Sequence, residues 1–177
     1  MSFSPSLLVS AALAGVLLAH GCATVSSSTM IPANIKAAAT ARGGSVRIDA
    51  MGSSRQALIG RRLVETEALE AAVRESVLAA GLFDEVVSYG AADRVLAVTV
   101  DQLTEPEIGL DMTCEVSLRW RLMSPDRSRT FWEEVITTEE TINTYQETDS
   151  SKRAMRAVEA ALRANLQRGI VRLSNAG

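Results

Sequence analysis

The chain has 177 residues, a formal charge of −3, 47% hydrophobic and 22% charged residues, which is enough apolar side chain for one core of ordinary size. That mild acidity disfavours nucleic-acid binding, which calls for a basic domain. The single histidine, His20, falls in a segment expected to be removed, so Ser-His-Asp and Cys-His catalysis and most zinc sites are excluded from the mature domain.

Residues 1–21 read as a secretory signal. The apolar run from Leu7 to Ala19 is about 13 residues, within the range of a signal core and short of the roughly 20 needed to span a bilayer. Small residues precede Cys22, and the box Leu18-Ala19-His20-Gly21-Cys22 resembles that of bacterial lipoprotein signals. His20 and a start without Lys or Arg depart from that pattern. The resemblance implies cleavage between Gly21 and Cys22 and three acyl chains on Cys22, and two or more chains anchor stably. Ala23, rather than an acidic residue, follows the cysteine. By resemblance to Gram-negative sorting, that implies an outer-membrane anchor facing the periplasm. With Cys22 acylated, Cys114 has no intramolecular disulfide partner.

Residues 22–44 are rich in Ser, Thr and Ala, with Pro32 and Gly43-Gly44, and read as the lipidated cysteine and a flexible tether. The linker character is clearest at Ser26-Ser27-Ser28-Thr29, and Ile35 to Ala41 suits a short helical turn.

Residues 45–177 form one α+β domain. Val46, Ile48 and Ala50 alternate with Arg47 and Asp49, the pattern of a half-buried strand. The loop that follows carries Arg55, Leu58-Ile59-Gly60, Arg61 and Arg62. Loops concentrate function, which makes Arg55, Arg61 and Arg62 candidate partner-binding residues. The plainer reading is a structural loop whose arginines pair with the Glu-rich start of the next helix.

That helix is expected over Thr66 to Ala80, with Leu69, Val73 and Val77 as its apolar ridge, Thr66 as N-cap and Gly81 as stop. Leu82 to Val87 suits a short edge segment. Val95 to Val100 is nearly continuous apolar, as in a strand buried on both faces. After the break at Glu105-Pro106-Glu107 and Gly109, period-two alternation from Leu110 to Leu122 predicts a long strand with one wet face. Ser124-Pro125-Asp126-Arg127 turns the chain, and a return strand runs from Thr130 towards Ile142 with an expected bulge. Asp149-Ser150-Ser151 caps a last helix from Lys152 to Leu173 with a stripe of Met155, Val158, Leu162, Leu166, Ile170 and Leu173. The predicted architecture is a two-layer sandwich of two amphipathic helices on a mainly antiparallel sheet with a long hairpin.

Each conspicuous cluster has a bland reading beside a functional one. The last helix carries Lys152, Arg153, Arg156, Arg163, Arg168 and Arg172, suited to lipid phosphates or to a solvated face. Glu133, Glu134, Glu139, Glu140, Glu147 and Asp149 mark a basic partner or a solvated edge that discourages strand addition. Glu133 and Glu134 point to opposite faces and cannot readily share a metal. Cys114, on the apolar face, reads as an inert core thiol. Trp120 and Trp132 read as core, with a cross-strand aromatic pair or a ligand patch as sharper readings.

With this element order and the loop Arg55…Leu58-Ile59-Gly60-Arg61, the chain resembles the YajG-like small lipoproteins of proteobacteria over Ser45 to Leu173. That resemblance implies architecture and location but no catalytic residues. The hairpin and final helix also look like the lipopolysaccharide-assembly lipoproteins and the auxiliary lipoproteins of lipid transport, an analogy of fold alone. No motif for a cofactor or metal is present in the sequence. The expected function is a non-enzymatic, lipid-anchored envelope accessory protein. Its membrane contact is through the acyl chains on Cys22, and its partner is an envelope protein or glycolipid. The alternatives are a lipid-transport auxiliary and a carboxylate-only cell-wall glycosidase.

Overall fold

The computed structural model describes residues 25–35, 41–52 and 64–176. Gly21, Cys22, Arg55, Arg61 and Arg62 lie outside the described residues. The elements are α1 (Ser27–Met30), β1 (Ser45–Met51), α2 (Thr66–Ala80), β2 (Glu85–Val87), β3 (Arg94–Thr104), β4 (Asp111–Met123), β5 (Thr130–Asn143) and α3 (Ser150–Asn175).

The five strands form one sheet in the order β2-β1-β3-β4-β5. β1 runs parallel to both neighbours, while β3–β4 and β4–β5 are antiparallel. The fold class is therefore α+β as expected. The sheet is mixed, with its longest pairings antiparallel and a parallel half around β1.

Local chemistry sets the boundaries. Gly81 ends α2 in the left-handed conformation (φ 61°), and its N–H donates to Leu78. The Asp149 carboxylate accepts from the Lys152 N–H at 2.8 Å and caps α3. Thr66 departs from its expected role as N-cap. It is the first helical residue, and its hydroxyl accepts from the Gly52 N–H at 3.1 Å, joining the end of β1 to the start of α2. The expected irregularity of the return strand is a register shift at Phe131, where Leu122 faces Trp132 and Met123 faces Thr130.

Alternation on β4 buries Met112, Cys114, Val116, Leu118, Trp120 and Leu122 against the helices. β3 is buried on both sides over its first half. Leu96 and Val98 join the main core, and Val95 and Ala97 form a small second cluster with Met123. α2 lies over β1 and α3 over β4 and β5, on the same face of the sheet.

The central stretch of the expected tether is packed. Val25 and Met30 are buried, and α1 bridges α2 and α3. Arg163 donates to the Thr29 carbonyl through Nε and Nη2 at 2.9 and 2.6 Å. Farther along, Arg42 donates to the Leu173 carbonyl at the end of α3. A Ser- and Thr-rich composition does not outweigh two apolar side chains that fill the groove between two helices.

Candidate functional site

With all helices on one side, the other face of the sheet is uncovered among the described residues. Its charged side chains are ordered. The β3 bulge between Val100 and Gln102 leaves Asp101 as the extra residue. The Asp101 carboxylate accepts from Arg119 on β4 at 2.6 Å, and Glu133 on β5 accepts from the same guanidinium at 2.8 Å. These two hydrogen bonds, Asp101 first, raise the Arg119 pKa above its ordinary value. Farther across, Asp49 on β1 pairs with Arg47 and with Arg127 from the β4–β5 turn. Arg129 stacks over Phe131, 5.1 Å from the ring centre.

Towards the other end of β4 and β5 the face changes character. Thr113 and Thr141 share a hydroxyl hydrogen bond of 2.7 Å, as do Ser117 and Thr137. Between these two pairs the register sets Glu115 directly opposite Glu139. Like charges facing across a sheet destabilise it. This carboxylate pair, framed by hydroxyls on a rigid surface, is the most unusual polar arrangement of the face.

The predicted clusters separate on the same geometry. Glu133 and Glu134 do point to opposite faces: Glu133 binds Arg119, and Glu134 meets Arg172 of α3 at 3.5 Å. The bases of α3 are largely engaged within the domain. Arg153 is buried and donates to the carbonyls of Gly109, Glu147 and Thr148. Arg156 donates to Gln146, and Arg168 to Thr137. Among the described residues no His, Cys, Asp or Glu triplet is gathered for a metal.

Cys114 is fully buried, and burial, reinforced by Glu105 and Glu115, pushes its thiol up to about 12, as an inert core thiol requires. The two tryptophans face inward but are offset: Trp120 lies opposite Glu134, and Trp132 opposite Leu122. Trp120 is a core residue. Its Nε1 donates to the buried Asn165 Oδ1 at 3.3 Å, and Asn165 in turn donates to the Ile136 carbonyl at 2.6 Å. Among the described residues, the space between sheet and helices around Trp120 is filled by buried side chains.

A cleft of about 190 Å³ lies between the N-terminal segment and α3, lined by Asn34, Ile35, Gln167, Ile170 and Val171. Ligand pockets usually span about 300–1,000 Å³, so it is small for a lipid.

Sequence reasoning did not single out the Glu115–Glu139 pair or the buried Asn165. The first depends on strand register. The second had a signal, since Ala157, Ala161, Asn165 and Gly169 recur every four residues along α3.

No family model and no curated protein matches the chain. Among solved structures, a Xanthomonas campestris protein of the family DUF330 is similar at 14% identity, with a TM-score of 0.58 over 84% of this chain and 92% of that one. A hypothetical protein of Chlamydia trachomatis is similar at 10% identity, with a TM-score of 0.56 over 75% and 96%. A minor lipoprotein of Acinetobacter baumannii is similar at 9% identity, with a TM-score of 0.48 over 73% and 90%. At these identities the first two likenesses show a shared fold and nothing beyond it.

Proposed function

We propose that this chain is a lipid-anchored, non-enzymatic accessory protein of the bacterial envelope, and that the uncovered face of its sheet binds a partner through a basic segment. The lipoprotein box ending in Cys22 supports the anchor, and Ala23 supports the outer membrane. The likeness to YajG-like lipoproteins supports the same address.

The observation that carries the binding reading is the Glu115–Glu139 pair on the open face. A cationic side chain from a partner, placed between the two carboxylates, relieves their repulsion and finds acceptors in the flanking hydroxyls. Strand addition is less suited, because Arg168 already occupies the Thr137 carbonyl in the middle of the edge strand β5.

The experiment is crosslinking in living cells from a photoreactive residue at Thr141, compared with the same residue at Leu78 on the outer side of α2. A discrete adduct from position 141 that disappears in Glu139→Lys supports the reading. Equal adducts from both positions, or an adduct indifferent to Glu139→Lys, overturns it.

A further inference from the structure

The end of the domain formed by the β3–β4 loop and the β5–α3 turn carries three large apolar side chains almost wholly in solvent: Ile108 is 95% exposed, Leu110 76% and Tyr145 98%. They sit on two segments locked side by side. Asp111 pairs with Asn143 in the sheet, and the buried Arg153 guanidinium ties the Gly109 carbonyl to those of Glu147 and Thr148. An apolar tip held this firmly exposes hydrophobic area without the freedom to fold it away.

The path of the N-terminal segment relates this tip to the anchor. Thr29 meets Arg163 near the middle of α3, Asn34 and Ile35 lie beside Gln167 and Val171, and Arg42 reaches Leu173 at the C-terminal end. From Thr29 onward the chain therefore runs along α3 in the helix's own direction, and Val25, four residues before Thr29, is buried in the core. The N-terminus of α3 belongs to the same end as Ile108, Leu110 and Tyr145. Cys22 precedes the buried Val25 by three peptide steps, a reach of at most about 11 Å. The leash is short, so an acylated Cys22 holds the domain close against the bilayer.

We propose that Ile108, Leu110 and Tyr145 rest in the interface of the bilayer that holds the acyl chains, so that the domain stands on this end with its open sheet face accessible from the side. This inference rests on acylation of Cys22. The acyl chains supply the affinity; the tip supplies the orientation, with Tyr145 suited to the headgroup level and Ile108 and Leu110 to the acyl boundary.

The test uses the full-length acylated protein in vesicles of phosphatidylethanolamine and phosphatidylglycerol. An environment-sensitive dye is attached to Leu110→Cys or, at the opposite end, to Tyr89→Cys. Tyr89 is 92% exposed and so matches the tip in exposure but not in position. The buried Cys114 takes no label in the folded protein. Quenching by brominated lipid is expected to be several-fold stronger at position 110 than at position 89. In the background Ile108→Ser with Tyr145→Ser, that difference shrinks while the protein stays on the vesicles. Equal quenching at the two positions, in protein whose acylation is verified by mass spectrometry, overturns the orientation and leaves the anchor standing. An unmodified Cys22 overturns both.

Discussion

Gly169 on α3 lies against the indole of Trp120 so closely that a Cβ on it would fall 2.2 Å from the ring. The glycine is there for contact, since it lets the helix approach the sheet at its largest buried side chain. Gly169→Ala should gain about 1 kcal/mol of helix propensity and yet lower stability, because overpacking a filled core costs about 1–3 kcal/mol and Trp120 has nowhere to move. Denaturant unfolding of Gly169→Ala, Trp120→Phe and the double variant measures this. Trp120→Phe should cost less in the alanine background than alone. Additive effects would show that the ring and the glycine do not confront each other.

Asn165 serves the same interface through polarity. It accepts from Trp120 and donates to strand carbonyls, and no solvent reaches it. Asn165→Leu keeps the branched shape of the side chain but leaves the indole N–H and the Ile136 carbonyl without this partner. A loss of about 2–6 kcal/mol is expected, at about 1–3 per stranded group. Near-neutral stability would mean that those groups find other partners.

The N-terminal segment should contribute to global stability. Met30 is fully buried between α2 and α3, and removing a buried methionine side chain to alanine costs about 2–5 kcal/mol. Met30→Ala should therefore lower the midpoint of the single unfolding transition. A change below about 0.5 kcal/mol, the usual limit for surface sites, would mark the segment as undocked.

Cys114 provides a reporter of opening. Its thiol is buried and raised to about 12, so at mildly alkaline pH a disulfide reagent should react only when β4 leaves the core. The rate should rise with denaturant in step with unfolding. Fast labelling in native buffer would contradict the packing of this strand.

Acid should loosen the β4–β5 turn. Asp126 accepts hydrogen bonds from Ser124 and Ser128, which hold its carboxyl at about 2, below the 3.8 of an isolated side chain. A folded pKa that is depressed gives a contribution fully present above about pH 4 and lost as pH falls towards 2. Stability measured across that window should fall less steeply in Asp126→Asn than in the parent. Identical slopes would remove the turn as a source of acid sensitivity.

Much of the domain from Ser45 onward is readable in the sequence, because its strands and helices have clean periods and ordinary stops. The alternation on β4 and the stripe on α3 follow from side-chain spacing alone. What spacing does not carry is who pairs with whom. The placement of β1 between β2 and β3, the confrontation of Glu115 with Glu139, and the inward turn of Arg153 each depend on segments far apart in the chain. The packing of Val25 and Met30 runs against a composition that favours linkers, and two buried side chains override it. Leu110 shows the converse. It continues the apolar rhythm of β4 but lies before the strand begins, and it is exposed.

The central position of β1 also shapes the route by which the chain folds. β1 is the first strand in sequence, yet its neighbours β2 and β3 follow it by some 40 to 50 residues and are joined to each other by a loop that passes its end. A chain synthesised from its N-terminus delivers β1 before either flank exists. The hairpin of β4 and β5 needs only local contacts and can form at once, whereas β1 must wait, extended, for two partners to close around it. Until then the edge of β3 is open and aggregation-prone, so closure of β1 is the step at which a holding chaperone would have most effect.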